Sequence, residues 1–295
     1  MTTIEAATTP AQLVYGQRRR GTGQATVLYD ALGPRGRRRA TIFAILFSVL
    51  LVAFIAYTVY RLGQFGHLEA ARWSYVFSPE ILRYLGEGLL NNVKASVVAG
   101  VLALVLGLFL ALGRLSTAAP VRVVSVGWIE FFRGFPLIML ILIPYLLFPV
   151  YLKALPPLWY VVIGLTLYNS AVMAEIYRAG ILSLDRGQFE AASSIGLRRG
   201  QAMRLVVLPQ AIRRMVPLLL TQLVILFKDS TLGVAVTYPE MLRRGETMGS
   251  FEPRVVFEAM IVTALLFLGV GLLLSRTVAF VEYRQRRAGL AAPLR

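Results

Sequence analysis

The sequence predicts an all-α, polytopic membrane protein with six transmembrane helices and both termini cytoplasmic. Three observations predict it. Of 295 residues, 57% are apolar and only 16% charged, with mean hydropathy +0.67, whereas a soluble domain averages about 25% charged. Uncharged stretches recur at the roughly 20-residue length that crosses a bilayer. Arginines gather in alternate connections, as the positive-inside rule requires. In hydrocarbon every backbone group must be satisfied internally, so the spans are helices.

The elements follow in order. Residues 1–40 carry Arg18, Arg19, Arg20, Arg35, Arg37, Arg38 and Arg39 amid Gly and Thr, which predicts a disordered cytoplasmic tail. A nucleic-acid role for it competes with an anchor on anionic lipid. The lipid reading is preferred, with no nucleic-acid partner. Spans are expected near 41–61, 87–113, 125–150, 158–182, 213–236 and 256–280. The first (41–62 as a domain) is a membrane helix and not a signal peptide, because its apolar core is too long and no small-residue cleavage site follows. In the second, Ala99, Ala103, Gly107 and Ala111 recur every four residues, a spacing that lets helix backbones approach closely. Connections 114–124, 183–212 and 281–295, the last including a basic tail at 283–295, share the tail's side. Segments 62–86, 151–157 and 237–255 lie opposite, where Glu69, Glu80, Glu240, Glu246 and Glu252 offset the arginines.

Charges inside spans are candidate functional groups. Glu130 and Arg133, like Glu175 and Arg178, are three apart and share a helix face. They read either as self-neutralising interfacial pairs or as a gate or solute contact. Lys94, preceded by Asn91 and Asn92, lies in the outer half of the second span. Lys228 and Asp229 lie about 22 Å into the fifth at 1.5 Å per residue. Lys94 and Lys228, at similar depth, could hold an anion between them, against simple snorkelling for Lys94. Asp229 adds a partner for an ammonium, so Lys94, Asn92, Lys228, Asp229, Glu175 and Arg178 are the solute-path candidates. Glu258 is expected at the interface.

Composition excludes several chemistries. The chain has no cysteine and one histidine, His67, so thiolate metal sites and disulfides are absent, and neither a histidine metal cluster nor a His-based triad is expected. No catalytic or metal-binding residue is expected. No Gly-Lys dipeptide occurs, hence no P-loop.

Connection 183–212 is the most specific segment. Helix formers dominate 188–195, Gly196 interrupts, and helix formers resume at 199–208 until Pro209 is expected to stop them. Ala191, Ala192 and Ile195 form a small apolar face. It has too little bulk to hold lipid well, so docking to a protein fits better.

Glu190-Ala191-Ala192, Gly196, Val206 and Leu208-Pro209 resemble the EAA signature of membrane subunits of binding-protein-dependent ABC importers, with Val206 where that family usually has Ile. Arg186-Gly187-Gln188, Pro209-Gln210-Ala211, Ala174–Arg178, Phe132–Pro136 and Lys228–Leu232 resemble its polar amino acid branch. The departures there are Ser230-Thr231 in place of Thr-Ser, and Phe135 in place of Thr. The resemblance covers residues 85–282, as a five-span permease domain with its coupling loop at 183–212. Tail and extra helix resemble glutamate permease subunits of actinobacteria. The resemblance implies that Gly187, Glu190, Ala191, Ala192, Gly196, Leu208 and Pro209 couple to a separate ATPase. It implies a second permease subunit of the same or a homologous chain, two ABC ATPase subunits that bind ATP and Mg, and an extracytoplasmic binding protein. The chain itself holds no cofactor and sits, multi-pass, in a bacterial cytoplasmic membrane. The implied function is ATP-driven uptake of a polar amino acid by alternating access, with glutamate or aspartate preferred because cations exceed unpaired anions in the outer half. An ion-coupled secondary transporter is the alternative.

Overall fold

Pro34, Pro79, Pro120, Pro157 and Pro209 each stand in the first turn of a helix, where proline's missing N–H deprives the helix of nothing. The computed structural model describes residues 33–184 and 186–287. Its α-helices are α1 (Pro34–Gln64), α2 (Ala70–Val76), α3 (Pro79–Arg114), α4 (Ala119–Gly134), α5 (Leu137–Tyr151), α6 (Pro157–Leu182), α7 (Arg186–Ser194), α8 (Arg199–Ala202), α9 (Leu208–Asp229), α10 (Met241–Phe251) and α11 (Val256–Arg287). A π-helical turn, Met203–Val207, joins α8 to α9, and 3₁₀ turns fill Ser230–Val236 and Pro253–Val255. No strand occurs among the described residues.

The chain divides into two compact units, before and after Gln64–Phe65. In the first, α1 is a single helix with no buried residue. It begins at Pro34, so Arg35 and Arg37–Arg39 lie in helix, not in the disordered tail expected to residue 40. Residues 1–32 of that tail lie outside the described residues. At the other end, 283–287 of the basic tail continue α11 as helix, and 288–295 lie outside the described residues.

Among the described residues, five helical stretches are long and apolar enough to cross a membrane: Pro34–Gln64, Pro79–Arg114, Pro157–Leu182, Gly200–Val236 and Pro253–Gln285. The continuous span expected at 125–150 is instead two helices, α4 and α5, bent by 97°. The physical cause is local. Pro136 disfavours helical backbone at the residue before it, and Phe135 is extended (φ −88°, ψ 135°). Pro209 corrects a second expectation. It does not stop its helix but sits in the first turn of α9, just after the π turn. There the hydrogen-bond ladder has already changed register, so the absent N–H is tolerated.

The second unit is built on α3 against α6. Ala99, Ala103, Gly107 and Ala111 are all buried. A β-carbon on Gly107 would stand 2.9 Å from the Ser170 carbonyl oxygen, so the backbones themselves meet. On the opposite face Val97, Val101, Val105 and Phe109 are exposed. Small residues inside and bulky apolar ones outside is the pattern of a helix whose outer face is solvated by lipid. α9 closes over α6, where buried Gln222 Nε2 donates to Asn169 Oδ1 (2.9 Å). Ile129, Ile141, Leu165, Met173, Met215 and Leu226 fill the core between these helices.

A smaller core joins α2, α3, α10 and α11 through Val76, Leu85, Met241, Met248 and Val262. Glu240 caps α10, its carboxylate accepting the N–H groups of Leu242 (2.8 Å) and Arg243 (2.6 Å). Glu258, expected at an interface, is fully buried. His67 Nδ1 stands 3.0 Å from its Oε1 and an Arg72 amine 3.8 Å. The 65–72 segment folds over the start of α11 and supplies partners that helix periodicity alone did not reveal.

Candidate functional site

Two features stand out, an exposed loop helix and a cavity at the broken span. The loop helix is α7. It ends where Gly196 takes φ +84°, Leu197 N–H donates to Ala192 O (3.2 Å) and Gly196 N–H to Ser193 O (3.0 Å). This is the Schellman closure, which favours glycine because it needs left-handed backbone. Ala192 is buried, while Gly187, Glu190, Ala191 and Ile195 are exposed. The expected apolar face is therefore split: Ala192 faces inward and Ala191 and Ile195 face out. Gln210 Nε2 donates to Gln188 Oε1 (3.1 Å), tying α7 to α9. Leu208 is half-buried against the main core and Pro209 is exposed.

The cavity, about 630 Å³, lies at the bend between α4 and α5. One wall is Arg133–Leu137. Tyr168 and Val172 of α6, Gln222, Ile225 and Asp229 of α9, and Leu232 complete it. Broken helices free backbone groups and polar side chains to line a path through a membrane. Of the solute-path candidates, Asp229 lines this cavity. Sequence reasoning overlooked Tyr168 and Gln222 as site residues, and read Arg133 either as half of an interfacial pair with Glu130 or as part of a gate or solute contact. Gly134-Phe135-Pro136, a helix-breaking signal inside an apolar stretch, was the cue that pointed there.

The other candidates lie elsewhere. Asn92 is fully buried, with Nδ2 on Ser230 Oγ (2.8 Å) and Glu240 (3.4 Å), and Oδ1 accepting Met241 N–H (3.0 Å). Its polar atoms are occupied by protein. Lys94 is exposed and reaches back 3.5 Å to Asn91 on its own helix. Lys228 is exposed, its Cε 3.5 Å from where a β-carbon of Gly271 would stand. Neither lysine lines the cavity, so the anion clamp between them is not formed there.

Glu175 and Arg178 belong to a charged cluster joining α3, α4 and α6. Arg178 donates to Glu175 Oε2 from Nε (3.0 Å) and Nη2 (2.9 Å), as the sequence spacing predicts. The expected Glu130–Arg133 pair is not made. Glu130 instead takes Arg114 (3.1 Å), which also reaches Glu175 (2.6 Å), and Arg133 lies 4.0 Å from Glu175. Helix packing brings Arg114 between the two carboxylates, and that outcompetes the local pairing.

A bundle of membrane helices with a cavity at a broken span that carries Arg133, Gln222 and Asp229 among apolar residues, and with an exposed loop helix, fits a transport subunit that crosses the membrane several times. The pattern of the binding-protein-dependent transport system inner membrane component matches residues 103–287, and the chain belongs to that family. The glutamate transport system permease protein GluD of Corynebacterium glutamicum is 38% identical over 231 residues, covering 77% of this chain and 84% of that protein. The glutamate/aspartate import permease protein GltK of Escherichia coli is 35% identical over 211 residues, covering 69% and 94%. A crystal structure of an amino acid ABC transporter with histidines superposes with TM-score 0.65 at 30% identity, covering 70% of this chain and 95% of that one.

Proposed function

We propose that this chain is the permease subunit of an ATP-driven importer that moves glutamate or aspartate into the cytoplasm by alternating access. The observation that carries it is α7, a short helix presenting Glu190, Ala191 and Ile195 outward from a closed glycine turn. An exposed helix whose outer face includes the small Ala191 lets another protein's surface approach closely and serves as its handle. In this reading Gly187, Glu190, Ala191, Ala192, Gly196, Leu208 and Pro209 form or support the contact with an ATPase subunit. That ATPase binds ATP and Mg. Two permease subunits, two ATPase subunits and an external binding protein make up the machine.

The crossings are six, α4 and α5 counting as one broken crossing, with both termini and α7 cytoplasmic. The 85–282 region is the permease domain. Solute passes through the cavity, where Asp229 meets its ammonium. The names of GluD and GltK support glutamate or aspartate as cargo.

The experiment is uptake of labelled glutamate into proteoliposomes holding the assembled importer. Uptake is expected only with binding protein outside and ATP inside. Uptake that follows an ion gradient without ATP overturns the proposal.

A further inference from the structure

We propose that Arg133 is a specificity-determining cation of the cavity, one that exchanges Glu175 for a carboxylate of the transported amino acid. The inference rests on the cavity being the solute path, as proposed above.

The geometry makes Arg133 the exchangeable member of its cluster. Glu175 already has Arg114 on Oε1 at 2.6 Å and two N–H groups of Arg178 on Oε2 at 3.0 and 2.9 Å. Arg133 stands 4.0 Å away, within ionic reach but too far for a hydrogen bond. Three guanidinium groups meet two carboxylates, Glu130 and Glu175, so the cluster carries one positive charge in excess (3 − 2 = 1). Among the three arginines Arg133 is the most exposed, at 44% against 23% and 32%. It is also the one that lines the cavity.

Its planar fork forms stronger, bidentate bonds with a carboxylate placed at hydrogen-bond distance than with Glu175 at 4.0 Å. The same cavity holds Asp229, the anion that suits an ammonium. An amino acid thus finds both charge partners on one surface. Its arrival withdraws Arg133 from the α3–α4–α6 cluster, so binding is felt where three helices meet.

The test is equilibrium binding of labelled glutamate to the complete importer in nanodiscs, without binding protein. R133Q is expected to bind at least about tenfold more weakly than the parent, the worth of one charge-assisted contact. R133K, which keeps the charge and loses the fork, is expected to fall between them. E175Q is expected to bind at least as tightly as the parent, because Arg133 loses its competitor. Competition by glutamine, which has only the α-carboxylate, and by 4-aminobutyrate, which has only the distal one, shows which carboxylate Arg133 takes: R133Q loses sensitivity to that competitor. Equal affinities for parent and R133Q, no binding by the parent, R133K no better than R133Q, or equal losses in R133Q and E175Q each overturn the proposal. Thermal melting of each variant checks its fold. ATP-dependent uptake by the parent, measured separately, reports on the importer reading, so the two failures are distinguishable.

Discussion

Asn92 Oδ1 accepts the backbone N–H of Met241 at 3.0 Å, joining α3 to the start of α10 across 149 residues. The same amide donates to Ser230 and Glu240. One side chain thus anchors the 3₁₀ turn, the helix cap and α10 to the long central helix. Asn92→Ala strands a fully buried N–H, at about 1–3 kcal/mol. The expected result is a lowered melting temperature of the purified subunit with unchanged solute affinity, because Asn92 does not line the cavity. A normal melting curve with weakened glutamate binding would restore Asn92 to the solute path.

Gly107 tests the α3–α6 contact. A β-carbon there meets the Ser170 carbonyl oxygen at 2.9 Å and Ala174 N at 3.2 Å, and neither backbone group can swing aside. Gly107→Ala is expected to destabilise by about 1–3 kcal/mol, the usual cost of overpacking. At Gly127 a β-carbon meets nothing within 4 Å, and Gly→Ala within a helix gains roughly 0.5–1 kcal/mol. Melting of the two alanine variants of the isolated subunit should move in opposite directions.

Gly196 separates backbone geometry from space. Its φ is +84°, yet a β-carbon would touch nothing. Substitution therefore costs only the left-handed conformation, about 1–2 kcal/mol for an ordinary residue. Uptake per ATP hydrolysed is expected to fall in the order Gly, Asn, Ala, Val, with unchanged abundance in the membrane. Normal coupling in Gly196→Val would show that α7 is not the handle.

Glu240 predicts a pH dependence. Burial raises its carboxyl pKa, with Glu246 adding to the rise, while the N–H groups of Leu242 and Arg243 and the Asn92 amide oppose it. The folded state therefore holds the proton more tightly than the unfolded one. That contribution to stability is complete below the unfolded value, about 4.3, and is lost as pH rises through the folded value. Glu240→Gln is expected to flatten the fall of melting temperature across that window. Parallel curves for parent and variant would place the pH response elsewhere.

Much of the fold was legible because helices are written locally. Apolar length located the five long helices, the spacing of Ala99 to Ala111 marked the face that α3 buries, and Gly196 marked the end of α7. The bend at Phe135–Pro136 was written in the chain too, but average hydropathy across 125–150 hides a single proline. The candidate site was less legible. Asp229, singled out for its improbable position in an apolar span, lines the cavity. Lys94, Lys228 and Asn92 looked equally improbable, yet two turn to the exterior and the third closes a helix cap.

Class, helix content and the turn of the loop helix came from the chain alone, since each helical hydrogen bond closes within four residues. Which charges meet was decided only in three dimensions. Arg114 and Glu175 are 61 residues apart and pair at 2.6 Å, while Glu130 and Arg133, three apart, do not pair. Ion pairing depends on the distance between helix axes, and that distance is set where Gly107 lets α3 lie against the backbone of α6.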